Sequence, residues 1–172
     1  MLAYNILELL DNKNIKSIIE DVKPITQESP MGCAIACTAS LAGLSYKRAR
    51  QYFDNGKLKD STCGFYNRDI ISALDKIGIK ARTYSAKGLD NKKIKVGTIV
   101  FVERSQKYPA GHYLLKTKNG WLNPWINYPN ITPAKAGFQK TLPSKIRWII
   151  VVDETISDKF YSVKDKKTTT LC

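Results

Sequence analysis

The order of structural signals along the chain predicts an α+β fold. Segments with helical apolar spacing fill the first half, β-type segments follow Gly78, and an Asn119-Gly120 pair between two apolar segments marks a hairpin. An alternating parallel design would interleave helices and strands, so the expected arrangement is N-terminal helices packed on a mainly antiparallel sheet. A chain of 172 residues, 43% hydrophobic with only ten glycines and seven prolines, carries enough apolar material for one core.

Residues 2 to 10 (Leu2, Ile6, Leu9, Leu10) and 15 to 22 (Ile15, Ile18, Ile19, Val22) have roughly helical apolar spacing, broken by Asp11-Asn12-Lys13-Asn14. They predict a helical extension over 1–24 that Pro24 ends, and Ile25 to Pro30 reads as an extended approach segment. A helix from about Cys33 to Leu41, rich in alanine and apolar nearly all round, is expected to be central and buried, with Gly43 as its terminator. Ser45 caps a second helix running to Phe53 and ending near Asn55-Gly56. Lys57 to Tyr66 reads as a loop, and Asn67 caps a third helix with Ile70, Ile71, Leu74 and Ile77 on one face, closed by Gly78. Strands are expected over Ile79–Tyr84, Thr98–Val102, His112–Lys116, Trp121–Asn123 and Ile146–Val152. The domain is drawn over residues 25–156. From 157 to 172 the tail is polar and lysine-rich, a composition that favours disorder.

No run of about 18 apolar residues occurs, and the N-terminus lacks the basic, apolar and small-residue regions of a secretory signal. A soluble protein, cytoplasmic by default or delivered by a specialised secretion route, is the expectation. The net charge of +13 attracts acidic partners, whether an acidic protein or inhibitor, nucleic acid or an anionic surface. The lysines are spread along the chain and no nucleic-acid motif accompanies them, so a solubilising surface is the plainer reading. Without a signal peptide, Cys33, Cys37, Cys63 and Cys172 are expected to be reduced. Cys33, Cys37, Cys63 and His112 could in principle assemble a zinc site, but no cofactor is required by the pattern.

The chemistry gathers around Gln27 to Thr38. A thiol at a helix start faces unpaired backbone N–H groups and the positive end of the helix dipole, which favour thiolate and can hold an oxyanion. His112, the single histidine, follows Pro109-Ala110-Gly111 at a strand start, and Asn123-Pro124 follows the next strand. Nucleophile, base, base-orienter and, in Gln27 with the Cys33 N–H, oxyanion donors are thereby available. A histidine paired with the thiol is expected to give a nucleophilic thiolate–imidazolium pair.

These residues resemble those of papain-like cysteine peptidases, and within them the bacteriocin-processing, double-glycine leader peptidases. Gln27 lies six residues before Cys33-Ala34-Ile35-Ala36-Cys37, and Gly111-His112-Tyr113-Leu114-Leu115 and Asn123-Pro124 follow. The resemblance covers about residues 25 to 152 and implies a papain-like fold with Gln27 as oxyanion donor, Cys33 as nucleophile, His112 as base and Asn123 as orienter. It implies a cysteine hydrolase or acyltransferase acting on amide bonds of a peptide or protein. Ala34 stands where the family usually has glycine, Asn123 replaces the usual aspartate, and the interval from His112 to Asn123 is short. Two other readings are a papain-like effector or toxin domain neutralised by an acidic immunity partner, and a catalytically inert basic binding module.

Register leaves one question open. A two-residue Asn119-Gly120 turn pairs Lys118 with Trp121 and His112 with Asn127, setting Asn123 roughly 13 Å along the strand from the histidine's partner position. Either a bulged turn brings Asn123 back or Asn127 is the orienter; the following proline and the family pattern favour Asn123. Cys37 reads as a small buried residue. Trp121, Trp125, Tyr128 and Trp148 read as packing residues, with cleft walls as the alternative, and Cys63-Gly64-Phe65-Tyr66 as a loop that could face substrate.

Overall fold

The computed structural model describes residues 21–152. The expected helices before residue 21 and the polar tail from 157 lie outside the described residues. Among the described residues four helices, α1 (Cys33–Ala42), α2 (Tyr46–Arg50), α3 (Gly56–Lys59) and α4 (Asn67–Ile77), precede six strands, β1 (Ala81–Ser85), β2 (Ile99–Val102), β3 (His112–Thr117), β4 (Gly120–Asn123), β5 (Gly137–Gln139) and β6 (Ile146–Val152). The sheet has the order β1-β6-β2-β3-β4-β5, and each neighbouring pair is antiparallel. The α+β expectation therefore holds, and among the described residues no helix is long and apolar enough to cross a membrane.

Every residue of α1 after Cys33 is buried. Alanines at 34, 36, 39 and 42 let the helix approach its neighbours closely, and Ile35 and Leu41 fill the space around them. Full burial of each of these two larger side chains is worth roughly 1.5–3 kcal/mol. Gly43 ends the helix in the left-handed conformation, with Leu44 N–H bonded to the Ala39 carbonyl at 2.9 Å. α1 and α4 pack on one sheet face, where Ile99, Tyr113, Leu115, Leu122, Ile150 and Val152 join a common core. Val100, Val102, Leu114, Trp121, Ile146 and Ile149 fill the other face with Ala86 and Ile94.

Three local expectations change. The second helix stops at Arg50, and Gly56–Lys59 is helical where a loop was expected. The chain folds back there so that the buried Asp60 carboxylate can take hydrogen bonds from Tyr46 Oη at 3.2 Å and Arg50 Nη1 at 3.4 Å. Asn67 is the first residue of α4 rather than its cap. The Asp69 carboxylate caps the Tyr66 N–H at 2.8 Å, leaving Asn67 to accept from Tyr113 Oη at 2.8 Å and donate to Thr83 Oγ1 at 3.0 Å. β5 carries no alternating pattern in three residues, which is why it could not be read ahead of the structure.

The approach segment is tied to both halves of the fold. Ile25 N–H donates to Ser40 Oγ on α1 at 3.0 Å, Gln27 N–H to the Pro124 carbonyl at 3.3 Å, and Ala136 N–H to Thr26 Oγ1 at 3.2 Å. Next, Met31 N–H donates to the Asp60 carbonyl at 2.8 Å. Gly32, immediately before α1, sits so close to the Tyr46 ring that an added Cβ would lie 2.0 Å from Tyr46 Oη. Tyr46 is itself buried and tied to Asp60, so it cannot easily give way. Gly32→Ala is therefore expected to cost about 1–3 kcal/mol of stability. The Tyr46→Phe background, which removes the colliding oxygen, should recover part of that loss; equal urea midpoints for Gly32→Ala and wild type would contradict this packing.

Candidate active site

Asn123, at the end of β4, is fully buried, so each polar atom of its carboxamide needs a partner inside the protein. Oδ1 accepts from Trp125 N–H at 2.9 Å and contacts His112 Nε2 at 2.9 Å. Nδ2 donates to Tyr108 Oη at 2.9 Å and Gln139 Oε1 at 2.8 Å. A backbone N–H can only donate, so the carboxamide atom facing Trp125 must be the oxygen. The same oxygen faces His112, whose Nε2 must therefore carry the proton, and Nδ1 is left as the basic nitrogen.

Register makes this contact possible. Thr117 pairs with Gly120, Lys116 with Trp121 and Leu115 with Leu122. The turn residues are thus Lys118-Asn119, one position earlier than expected, and the positive φ falls on Gly120 at +109°. Thr117 Oγ1 supports the turn by accepting from Asn119 N–H at 3.2 Å and donating to the Gly120 carbonyl at 3.0 Å. Extending the ladder by one pair sets Asn123 opposite Leu114, on the same face as His112 and diagonal to it, roughly 7 Å away between Cα atoms. Asn127 is engaged elsewhere: its Nδ2 donates to the Pro133 carbonyl at 3.1 Å and its Oδ1 accepts from Lys135 N–H at 2.7 Å.

Tyr108 was not singled out in the sequence, yet its ring stacks on His112 at 4.0 Å between centroids and 2° between planes. Its hydroxyl donates to the Trp125 carbonyl at 2.8 Å. Tyr128 meets the Tyr108 and Trp125 rings edge-on, so these aromatics wall off the His112–Asn123 contact. Gln139 was also missed, because nothing marked β5 as a strand. The available signal was chemical: an asparagine with a buried NH2 group requires two acceptors.

Cys33 opens α1 and is partly exposed, whereas Cys37 one turn later is fully buried, its thiol pushed well above 9.0. Backbone groups at Tyr113, Ala34 and Cys33 itself face the Cys33 sulfur and favour its thiolate. Tyr113 directly follows His112, so the sulfur meets β3 at its first residues. Burial outweighs these amides and pushes the Cys33 thiol up to about 11. Desolvation likewise pulls His112 down to about 4, against the supporting bond from Asn123 and with nearby Lys107 adding to the depression. Desolvation thus works against the expected thiolate–imidazolium pair, pushing both groups toward their neutral forms.

Gln27 is buried with its Nε2 donating to the Ser29 carbonyl at 2.9 Å and the Pro30 carbonyl at 3.2 Å, while Oε1 has no partner. A cleft of about 1070 Å³ opens on Cys33, with Phe101, Tyr113 and the exposed Trp148 from the sheet on one side and Phe65 and Tyr66 on the other. Cys63 and Gly64 also line it, as do Gly111 and Tyr113 on either side of His112. Arg68, Arg104 and Arg147 stand at its walls, with Arg147 3.5 Å from Glu103. Among the described residues no cluster of three His, Cys, Asp or Glu side chains could hold a metal, so Cys33, Cys37, Cys63 and His112 are not brought together as a zinc site.

The α+β fold, with a helix-start cysteine beside an antiparallel sheet, is shared with a solved peptidase domain. In particular, the chain is similar to the peptidase domain of Streptococcus ComA, a bifunctional ABC transporter involved in a quorum-sensing pathway. The TM-score is 0.52 at 18% identity, over 77% of this chain and 98% of that one. No family model and none of the curated proteins matches the chain.

Because the folded state holds His112 near 4 against an ordinary value of 6.5, the unfolded chain binds the proton more readily between those values. Stability contributed by this site is complete above about pH 6.5 and is lost as pH falls toward 4, by on the order of 3 kcal/mol. Urea midpoints at pH 7.5 and 4.5 should differ less in His112→Gln than in the wild type; an identical difference in both would contradict the assignment.

Proposed function

We propose that this protein is a cysteine peptidase or closely related amide hydrolase, with Cys33 as nucleophile, His112 as base, Asn123 as orienting residue and Gln27 with the Cys33 N–H as oxyanion donors. The observation that carries the reading is the hydrogen-bond polarity at Asn123, which leaves His112 Nδ1 unprotonated on the residue next to Tyr113, whose backbone meets the Cys33 sulfur. The ComA likeness supports the fold this chemistry uses.

In this mechanism a peptide lies in the cleft with its carbonyl carbon over the sulfur. The thiol proton moves to Nδ1 as the sulfur attacks, since a neutral pair has no ion pair formed beforehand. The tetrahedral oxyanion is held by the Cys33 N–H and by Gln27. The longer Gln27 bond, to Pro30 at 3.2 Å, is the one released, because a charged acceptor outcompetes a neutral carbonyl. Collapse breaks the C–N bond, Nδ1 returns its proton to the leaving amine, and a thioester remains on Cys33. Water, activated at the same nitrogen, attacks the thioester and releases the acid and the free thiol.

A peptide vinyl sulfone should label Cys33, as located by mass spectrometry, and its rate should fall by roughly 100-fold or more in His112→Ala. Cys33→Ala should abolish both this labelling and cleavage of a synthetic peptide library. For wild type the acid limb of the labelling rate is expected near pH 4, following the lowered His112 value. Unchanged labelling in His112→Ala would remove the base from the reading.

A further inference from the structure

We propose that Gln139 is a positioning residue: with Tyr108 it accepts the two amide protons of Asn123, and so holds the carboxamide in the orientation that decides which nitrogen of His112 carries the proton. This deepens the peptidase reading and rests on it for its kinetic consequence. Gln139 sits on β5, where it pairs with Trp121, and reaches Asn123 Nδ2 with Oε1 at 2.8 Å. Its own Nε2 donates to the Thr141 carbonyl at 2.7 Å. A backbone carbonyl can only accept, so this bond fixes Gln139 as surely as the Trp125 N–H fixes Asn123 Oδ1. The chain Thr141 carbonyl, Gln139, Asn123, Trp125 N–H is thus anchored on the backbone at both ends, and every side-chain dipole between has one orientation.

The second acceptor of Asn123 Nδ2, the Tyr108 hydroxyl, is committed in the same sense, because its single proton goes to the Trp125 carbonyl at 2.8 Å. With that proton engaged its oxygen can only accept, so both acceptors of the NH2 group oppose a reversed carboxamide. An aspartate at 123 would set a second oxygen against Gln139 Oε1. Relief would require Gln139 to turn its amide, abandoning its bond to the Thr141 carbonyl and pointing its oxygen there. The site is built for asparagine, and Gln139 and Tyr108 select it together.

His112 is the only histidine in the 172 residues, so the imidazole ¹⁵N resonances of the untagged, ¹⁵N-labelled protein report this one ring without turnover or substrate. Wild type is expected to show mainly the Nε2–H tautomer. Gln139→Leu strands a buried N–H and should shift the tautomer ratio toward Nδ1–H by roughly tenfold, with kcat on the peptide falling on the order of tenfold and KM nearly unchanged. Gln139→Glu keeps an acceptor facing Asn123 and should retain the wild-type tautomer. Asn123→Asp should lose more activity alone than when combined with Gln139→Leu, since removing Gln139 removes the opposed oxygen. A folded Gln139→Leu protein with the wild-type tautomer ratio overturns the proposal, as does additivity of the Asn123→Asp and Gln139→Leu effects. If Gln139→Leu does not fold, a Gln139→Glu protein with a shifted tautomer overturns it. Absence of peptide cleavage by wild type would instead overturn the peptidase reading, leaving the tautomer measurement to judge Gln139.

Discussion

A carboxamide with no access to water has to find every hydrogen-bond partner within the fold, and Asn123 satisfies that constraint with backbone on one side and a backbone-anchored glutamine on the other. Much of the surrounding structure answers to it. β5 must lie beside β4 to bring Gln139 within reach, and the Trp125 amide must turn back after Pro124. Tyr108 must cross from the loop before β3 to cover the ring it stacks on. Removing one partner would leave a buried polar group unpaired, which costs more than the bond itself contributes.

The same dryness shapes the acid–base balance. A helix start and a set of strand amides would lower a thiol's pKa in a wet site, and here they do act in that direction on Cys33, but desolvation is the larger effect. His112 moves the opposite way for the same reason, with Lys107 contributing from beside the Tyr108 ring. Both groups are thereby pushed toward their neutral forms. In the proposed mechanism proton transfer then belongs to the reaction step, and the tautomer of the imidazole matters more than its affinity for a proton.

Much of this could be read in the amino-acid order. The alanine-rich segment from Cys33, its stop at Gly43 and the apolar stripe of α4 are local patterns, and local patterns survive into structure when burial agrees with them. The bounds of β2, β3, β4 and β6 came within a residue for the same reason. What was hidden depends on long-range geometry. Whether Asn123 or Asn127 could reach His112 turned on a one-residue displacement of the hairpin loop, and Asn-Gly is compatible with both placements. Tyr108 and Gln139 carry no motif; they matter because of what lies across from them in space. Gln27 was picked out by its spacing from Cys33, but spacing could not tell that its amide rests on the Ser29 and Pro30 carbonyls.

Gly120 gathers two of these long-range requirements into one position. Its φ of +109° places the loop so that Asn123 comes diagonal to His112, and a Cβ there would lie 2.7 Å from the Gln139 carbonyl oxygen on β5. A side chain at this position would therefore strain the hairpin and push away the strand carrying Gln139 in a single step. Among the turn residues the one with no side chain is thus the most constrained: a change at Gly120 is felt at the histidine, through two strands, without touching it.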